Sequence, residues 1–170
     1  MAEKESQEEV LDRLERMAGD YLEAYGSCAQ GTLRALQEEF ELGNAEVLKA
    51  ATAMPGVALR GETCGAVIGP VMALGLAFGR DKPEDYEAFL RTLRAAHYFC
   101  RRFEEEFGSC MCKAVHERLF GRYFDLTDPV QMEEFTAAGA LEKCRIPAGK
   151  AVRIAGQIIL ETRADPRPLA

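Results

Sequence analysis

Six cysteines, Cys28, Cys64, Cys100, Cys110, Cys112 and Cys144, are the residues of this 170-residue chain whose type and spacing could do chemistry. In a reducing compartment such thiols serve as buried apolar groups, metal ligands or reversible redox groups. They include no CxxC pair, which removes the knuckles of zinc ribbons and fingers, and no CxxCH for covalent haem attachment. Any shared site must therefore be assembled by the fold.

Three of the thiols follow a residue that caps helices: Ser27-Cys28, Thr63-Cys64 and Ser109-Cys110. A cysteine in a first helical turn sits near free N–H groups and the positive end of the dipole, which lowers a thiol pKa. Cys144 lies between Lys143 and Arg145, whose charges would act in the same direction. If these segments converge, four sulfurs share one site. Cys110 and Cys112 point about 200° apart on a helix, so one site takes one of them, and the capping argument favours Cys110. Cys112 and His116 are one helical turn apart, a weak signal for an extra ligand. His97 reads as a core histidine within an apolar helix face, and Cys100 as a small buried hydrophobe.

The stretch Thr63 to Gly79, TCGAVIGPVMALGLAFG, carries no charge and organises the rest. It is shorter than the roughly 20 apolar residues of a membrane span, so it predicts a helix buried on all sides of a globular domain. Gly65, Gly69, Ala73 and Ala77 form one row that lets another backbone approach, which also makes a homodimer plausible. Thr63 is the expected N-cap, and Pro70 predicts a kink over 66–70. Around this helix, apolar periodicity predicts helices over 6–25, 28–41, 45–53, 83–107, 110–120, 130–143 and 147–162. The segment 57–62 reads as a loop and 121–129 as a turn. No alternating run supports a sheet, and no solenoid repeat is present. The expectation is a single all-α domain over 1–163, six or seven helices around the glycine-rich one, with a disordered tail at 164–170.

Composition limits the function classes. With 48% hydrophobic residues the chain builds one real core, and a formal net charge of -7 with a pI of about 5.0 argues against a nucleic-acid surface. The start, MAEKESQEEV, lacks an apolar signal region, so a cytoplasmic location is expected. There is no nucleophile elbow, no phosphate-cradling glycine loop after a strand and no helical Glu-x-x-His set. A conventional hydrolase is disfavoured, and whether the protein is an enzyme is open.

The segments Thr63-Cys64-Gly65-Ala66-Val67-Ile68-Gly69, ALGLAFG, GSCAQGTL and FEEEFGSCMC resemble the redox-active C_GCAxxG_C_C proteins over about Tyr21 to Ile159. That cysteine-rich domain is also similar to part of the split-Soret cytochromes. The resemblance implies an all-helical domain with four characteristic cysteines, matched to Cys28, Cys64, Cys112 and Cys144, with Cys110 as the alternative to Cys112. Thr63, Gly65 and Gly69 of the motif would shape the site, and His116, from its helical spacing to Cys112 alone, is a candidate extra ligand. In the split-Soret relatives such cysteines accompany an iron–sulfur cluster beside haem. Here that implies a [2Fe-2S] or other iron–sulfur cluster, with zinc or no metal as alternatives and no covalent haem, and a redox partner protein. A reversible dithiol/disulfide protein is the second reading, and a structural interaction module with inert cysteines the third.

Overall fold

The computed structural model describes residues 5–165. Helix α1, Gln7–Tyr25, starts at a reciprocal capping box between Ser6 and Glu9 and stops where Gly26 turns left-handed. Ser27 accepts the Gln30 N–H and opens α2, Cys28–Phe40. The Gln30 side chain does not complete the box but bonds the Leu48 carbonyl and the Thr52 hydroxyl, tying α2 to the next segment. That segment is α3, Ala45–Ala50, capped by Asn44 and continued by a 3-10 turn, Ala51–Ala53. There follow α4, Gly65–Phe78; α5, Tyr86–Phe107, capped by Asp85; α6, Cys112–Phe120; α7, Pro129–Ala137; and α8, Ala140–Ala164. The chain is all-α: the described residues form eight right-handed α-helices and no strand beyond an isolated bridge between Thr63 and Met111.

Three long helices, α1, α2 and α8, pack against one another, and α4 lies between α2, α5 and α8. The centre is filled by Leu14, Leu33, Leu36, Leu74, Phe99 and Ile158, all essentially without solvent exposure. Arg153 of α8 reaches Glu8, Asp12 and Glu15 of α1, and Arg145 reaches Asp20 and Glu23, so a row of ion pairs closes the outer seam of that pair.

Several sequence expectations are corrected. Helix α4 is not buried on all sides: Ile68, Val71, Met72 and Leu76 lie half-buried on an outer face. Its glycine row is occupied within the chain, because Gly65 and Gly69 lie against Cys28, Ala29 and Thr32 of α2, so that row lends no support to a homodimer. Pro70 lies inside an unbroken helix, where it cannot donate to the Ala66 carbonyl. The last two expected helices are divided elsewhere: the break falls at Gly139, with φ of 80°, and α8 runs on through Cys144 and Pro147. Pro147 removes one hydrogen bond, but burial of Ala148, Ala151, Val152 and Ala155 along the same face outweighs that loss. Ala164 ends α8, and the remainder of the expected tail, 166–170, lies outside the described residues. His97 is exposed and not a core residue. Among the described residues, no helix is long and apolar enough to cross a membrane.

Candidate functional site

Cys28, Cys64, Cys112 and Cys144, together with His116, line one cavity of about 380 Å³. Each arrives on a different element. Cys28 is the first residue of α2, Cys112 the first of α6, and Cys144 lies in the second turn of α8. Cys64 is itself the N-cap of α4, one residue later than the Thr63 cap expected from sequence. Thr63 instead belongs to a short antiparallel pairing: the Cys64 N–H donates to the Cys110 carbonyl at 2.8 Å, the Cys112 N–H to the Glu62 carbonyl at 2.7 Å, and the Lys113 N–H to the Gly61 carbonyl at 3.1 Å. This pairing sets Cys64 beside Cys112. The pairing also takes Cys110 out of a helix start, since α6 begins two residues later, and turns its thiol toward Cys100, away from the cavity.

The close approach of α2 and α4 sets Cys28 beside Cys64. A Cβ added at Gly65 would lie 2.4 Å from the Cys28 sulfur, so only glycine leaves that sulfur its place. The Cys64 thiol neighbours both the Cys28 and the Cys112 thiols, and the Cys112 sulfur lies 3.5 Å from His116 Nε2. A row of three sulfurs and an imidazole thus runs along one wall, with Cys144 facing Cys28.

Electrostatics run opposite to the expectation from helix starts and basic neighbours. The neighbouring Cys64 thiol, then burial, pushes the Cys28 thiol well above its ordinary range; the Cys112 thiol does the same to Cys64. Burial, helped by Cys28, pushes Cys144 up to about 12. Backbone N–H groups of Ala29 and Ala66 favour the thiolates, but one amide dipole is small against desolvation and a neighbouring sulfur. The flanking cations are engaged elsewhere: Lys143 lies over the Phe120 ring and Arg145 pairs with Asp20 and Glu23. His116 is 2% exposed, and burial lowers its pKa to about 4, so it is a neutral imidazole.

Sequence reasoning missed the surroundings of His116. Its ring stacks on Phe135 at 4.6 Å, with Phe120, Tyr123 and Phe124 around it, and its Nδ1 is buried without a hydrogen-bond partner. The close succession of aromatics in FGRYF, just after His116, was the available signal.

Also missed was the left-handed turn Gly56–Leu59 beside the cavity, where Gly56, Val57, Ala58 and Leu59 all have positive φ, between 46° and 63°. Left-handed helical backbone costs an L-residue roughly 1–2 kcal/mol. The turn is held by the Leu59 N–H on the Pro55 carbonyl and by the Arg60 and Glu62 N–H groups on the Gly56 carbonyl. Gly56 lies against the Cys112 side chain, so the turn backs the sulfur row. Ala58→Gly should relieve its share of the strain and raise stability by about 1 kcal/mol, read as a higher midpoint in chemical unfolding. An unchanged or lower midpoint would show that the turn is not strained as described.

Among the described residues, no three Cys, His, Asp or Glu side chains converge where a single ion would sit. The sulfurs instead line a wall of a cavity otherwise formed by Leu59, Leu126, Met132 and Phe135. No curated protein and no solved structure matches the chain. Residues 26–158, which hold every cysteine of this cavity, match the model of the family described as putative redox-active protein (C_GCAxxG_C_C), and the chain belongs to that family.

Proposed function

We propose that the cavity is a redox centre in which Cys28, Cys64, Cys112 and Cys144 hold an iron–sulfur cluster and exchange electrons with a partner protein. The observation that carries this reading is the meeting of four thiols on one cavity whose flanking cations, Lys143 and Arg145, are engaged elsewhere. Dithiol exchange needs an accessible thiolate, and burial here opposes it. A bound metal centre supplies the positive charge the site lacks and deprotonates the thiols it ligates. The donor set is soft, and it is spread along a wall and does not surround one point, which favours a group with several metal atoms over a lone zinc ion.

Such a cluster would supply one-electron transfer. The chain's own contribution is to position and to insulate. Gly65 and Gly69 bring α2 and α4 together and so space Cys28 from Cys64. The Thr63–Met111 pairing spaces Cys64 from Cys112. His116, neutral and fixed by its aromatic neighbours, can place an Nε2 proton on the Cys112 sulfur, which draws charge from a thiolate and orients it. Leu59, Leu126, Met132 and Phe135 make part of the lining apolar, and Cys64 and Cys112 are buried behind it.

Anaerobic purification, with reconstitution by iron and sulfide, a visible absorption spectrum and metal analysis, tests this. Brown protein containing iron and sulfide, bleached by Cys64→Ser, is the expected result. Colourless protein that takes up neither, with a free-thiol count that rises on reduction, would overturn it in favour of reversible disulfides. Zinc without iron would reduce the centre to a structural one.

A further inference from the structure

The sulfurs left outside the cavity form a pair of their own. Cys100 lies on α5 and Cys110 in the segment between α5 and α6. The Cys110 thiol donates to the Cys100 carbonyl oxygen at 3.8 Å, which sets the two thiols side by side, close enough to perturb each other's protonation. Both residues are half-buried, as Cys28 and Cys144 of the cavity also are, whereas Cys64 and Cys112 are buried; what sets this pair apart is that both partners are half-buried and adjacent. Neither sulfur faces a group that the four-cysteine centre uses. The Cys110 backbone does: its carbonyl accepts the Cys64 N–H at 2.8 Å, and Met111 beside it pairs with Thr63.

We propose that Cys100 and Cys110 form a second, reversible dithiol/disulfide pair, oxidised by exchange with a low-molecular-weight disulfide and linked through the Cys110 backbone to the Cys64 end of the cavity. Cys100 attacks first. Its thiol is held below the ordinary range by the adjacent Cys110 thiol, against burial and the Glu104 carboxylate one turn along the helix. The Cys100 thiolate attacks one sulfur of the disulfide RSSR, whose S–S bond breaks and releases one thiol, RSH, carrying the proton Cys100 lost. The Cys110 sulfur then attacks Cys100 in the mixed disulfide, giving up its proton to the second departing RSH. The two protein sulfurs are oxidised by two electrons, and RSSR is reduced to two RSH. A reducing dithiol reverses both steps. Closure fixes the Cys110 backbone whose carbonyl holds the Cys64 N–H, so the state of this pair is felt at the start of α4.

The test titrates reduced full-length protein, without air, with hydroxyethyl disulfide, a probe whose lack of charge avoids repulsion by Glu104. Free thiols are then alkylated, and disulfide-linked peptides are sequenced by mass spectrometry. Fragment spectra separate Cys110 from Cys112, which share a tryptic peptide. The expected first product is a Cys100–Cys110 link with Cys28, Cys64, Cys112 and Cys144 alkylated. Cys110→Ser should instead retain the mercaptoethanol adduct on Cys100. A first link among the cavity cysteines, a persistent Cys100 adduct in the unsubstituted protein, or no reaction would each overturn the proposal. The wild-type product decides it even if the variant misfolds. Because the readout is a covalent link away from the cavity, it is independent of whether a cluster binds.

Discussion

Gly69→Ala is expected to destabilise the protein by about 3 kcal/mol or more, lowering the thermal midpoint by roughly 10 °C, and to separate the Cys28 and Cys64 thiols. The added Cβ would lie 2.1 Å from Thr32 Oγ1, 2.6 Å from the Ala29 carbonyl oxygen and 2.8 Å from the Leu33 nitrogen. Two of these are backbone atoms in a buried helix and cannot step aside, so α2 and α4 must move apart as bodies. Removing the hydroxyl with Thr32→Ala therefore should not rescue the variant. Gly75, on the same helix, is the control: a Cβ there meets nothing within 4 Å. Gly75→Ala should stabilise by about 0.5–1 kcal/mol through helix propensity alone. Opposite signs at two glycines of one helix would show that contact with α2 decides the outcome; equal midpoints would refute the close approach as the device that spaces the sulfurs.

Much of this arrangement was legible from local chemistry. Ser6, Ser27 and Asn44 cap the helices that they announce, and Gly26 and Gly108 end helices where a left-handed residue is needed. The apolar stripes of α1 and α2 mark the faces that are buried, whereas on α5 Phe99 and Phe103 are buried but Tyr86 and Leu93 of the same apolar side are exposed. Whatever depends on long-range packing was not legible. Ser109 looks like the cap of a helix at Cys110, but the pairing of 61–64 with 110–113 holds that stretch extended and delays α6 to Cys112. Pro147 looks like a boundary, yet the burial that keeps α8 continuous is supplied by helices far away in sequence. The thiol acidities inverted for the same reason. A helix start or a basic neighbour is visible in sequence, whereas the burial and the mutual contact of thiols that outweigh it exist only once the elements are assembled. The left-handed turn has no local signal beyond Gly56, since Val57, Ala58 and Leu59 are poor choices for positive φ.

Those contacts place His116 where its protonation is opposed by the whole fold, and the consequence is measurable in metal-free, reduced protein. Unfolded, the imidazole titrates near 6.5; folded, burial lowers it to about 4. Between these values the unfolded chain binds more protons, so this residue's contribution to stability is fully present above about pH 6.5 and is lost as the pH falls toward 4. The loss amounts to about 2–3 kcal/mol. Carboxylates titrate over part of the same range, so wild type alone does not isolate the effect. His116→Phe supplies the reference: it keeps an aromatic ring against Phe135 and removes the titration, while His97, exposed, is common to both proteins. Urea midpoints at pH 7 and pH 4.5 should show wild type losing more stability than the variant over that interval. Parallel curves would mean that His116 accepts a proton without cost, that water reaches Nδ1, and that the imidazole does not stand as a neutral group beside Cys112. A steeper wild-type curve instead makes the aromatic box a proton barrier that keeps the imidazole beside Cys112 neutral down to acid pH.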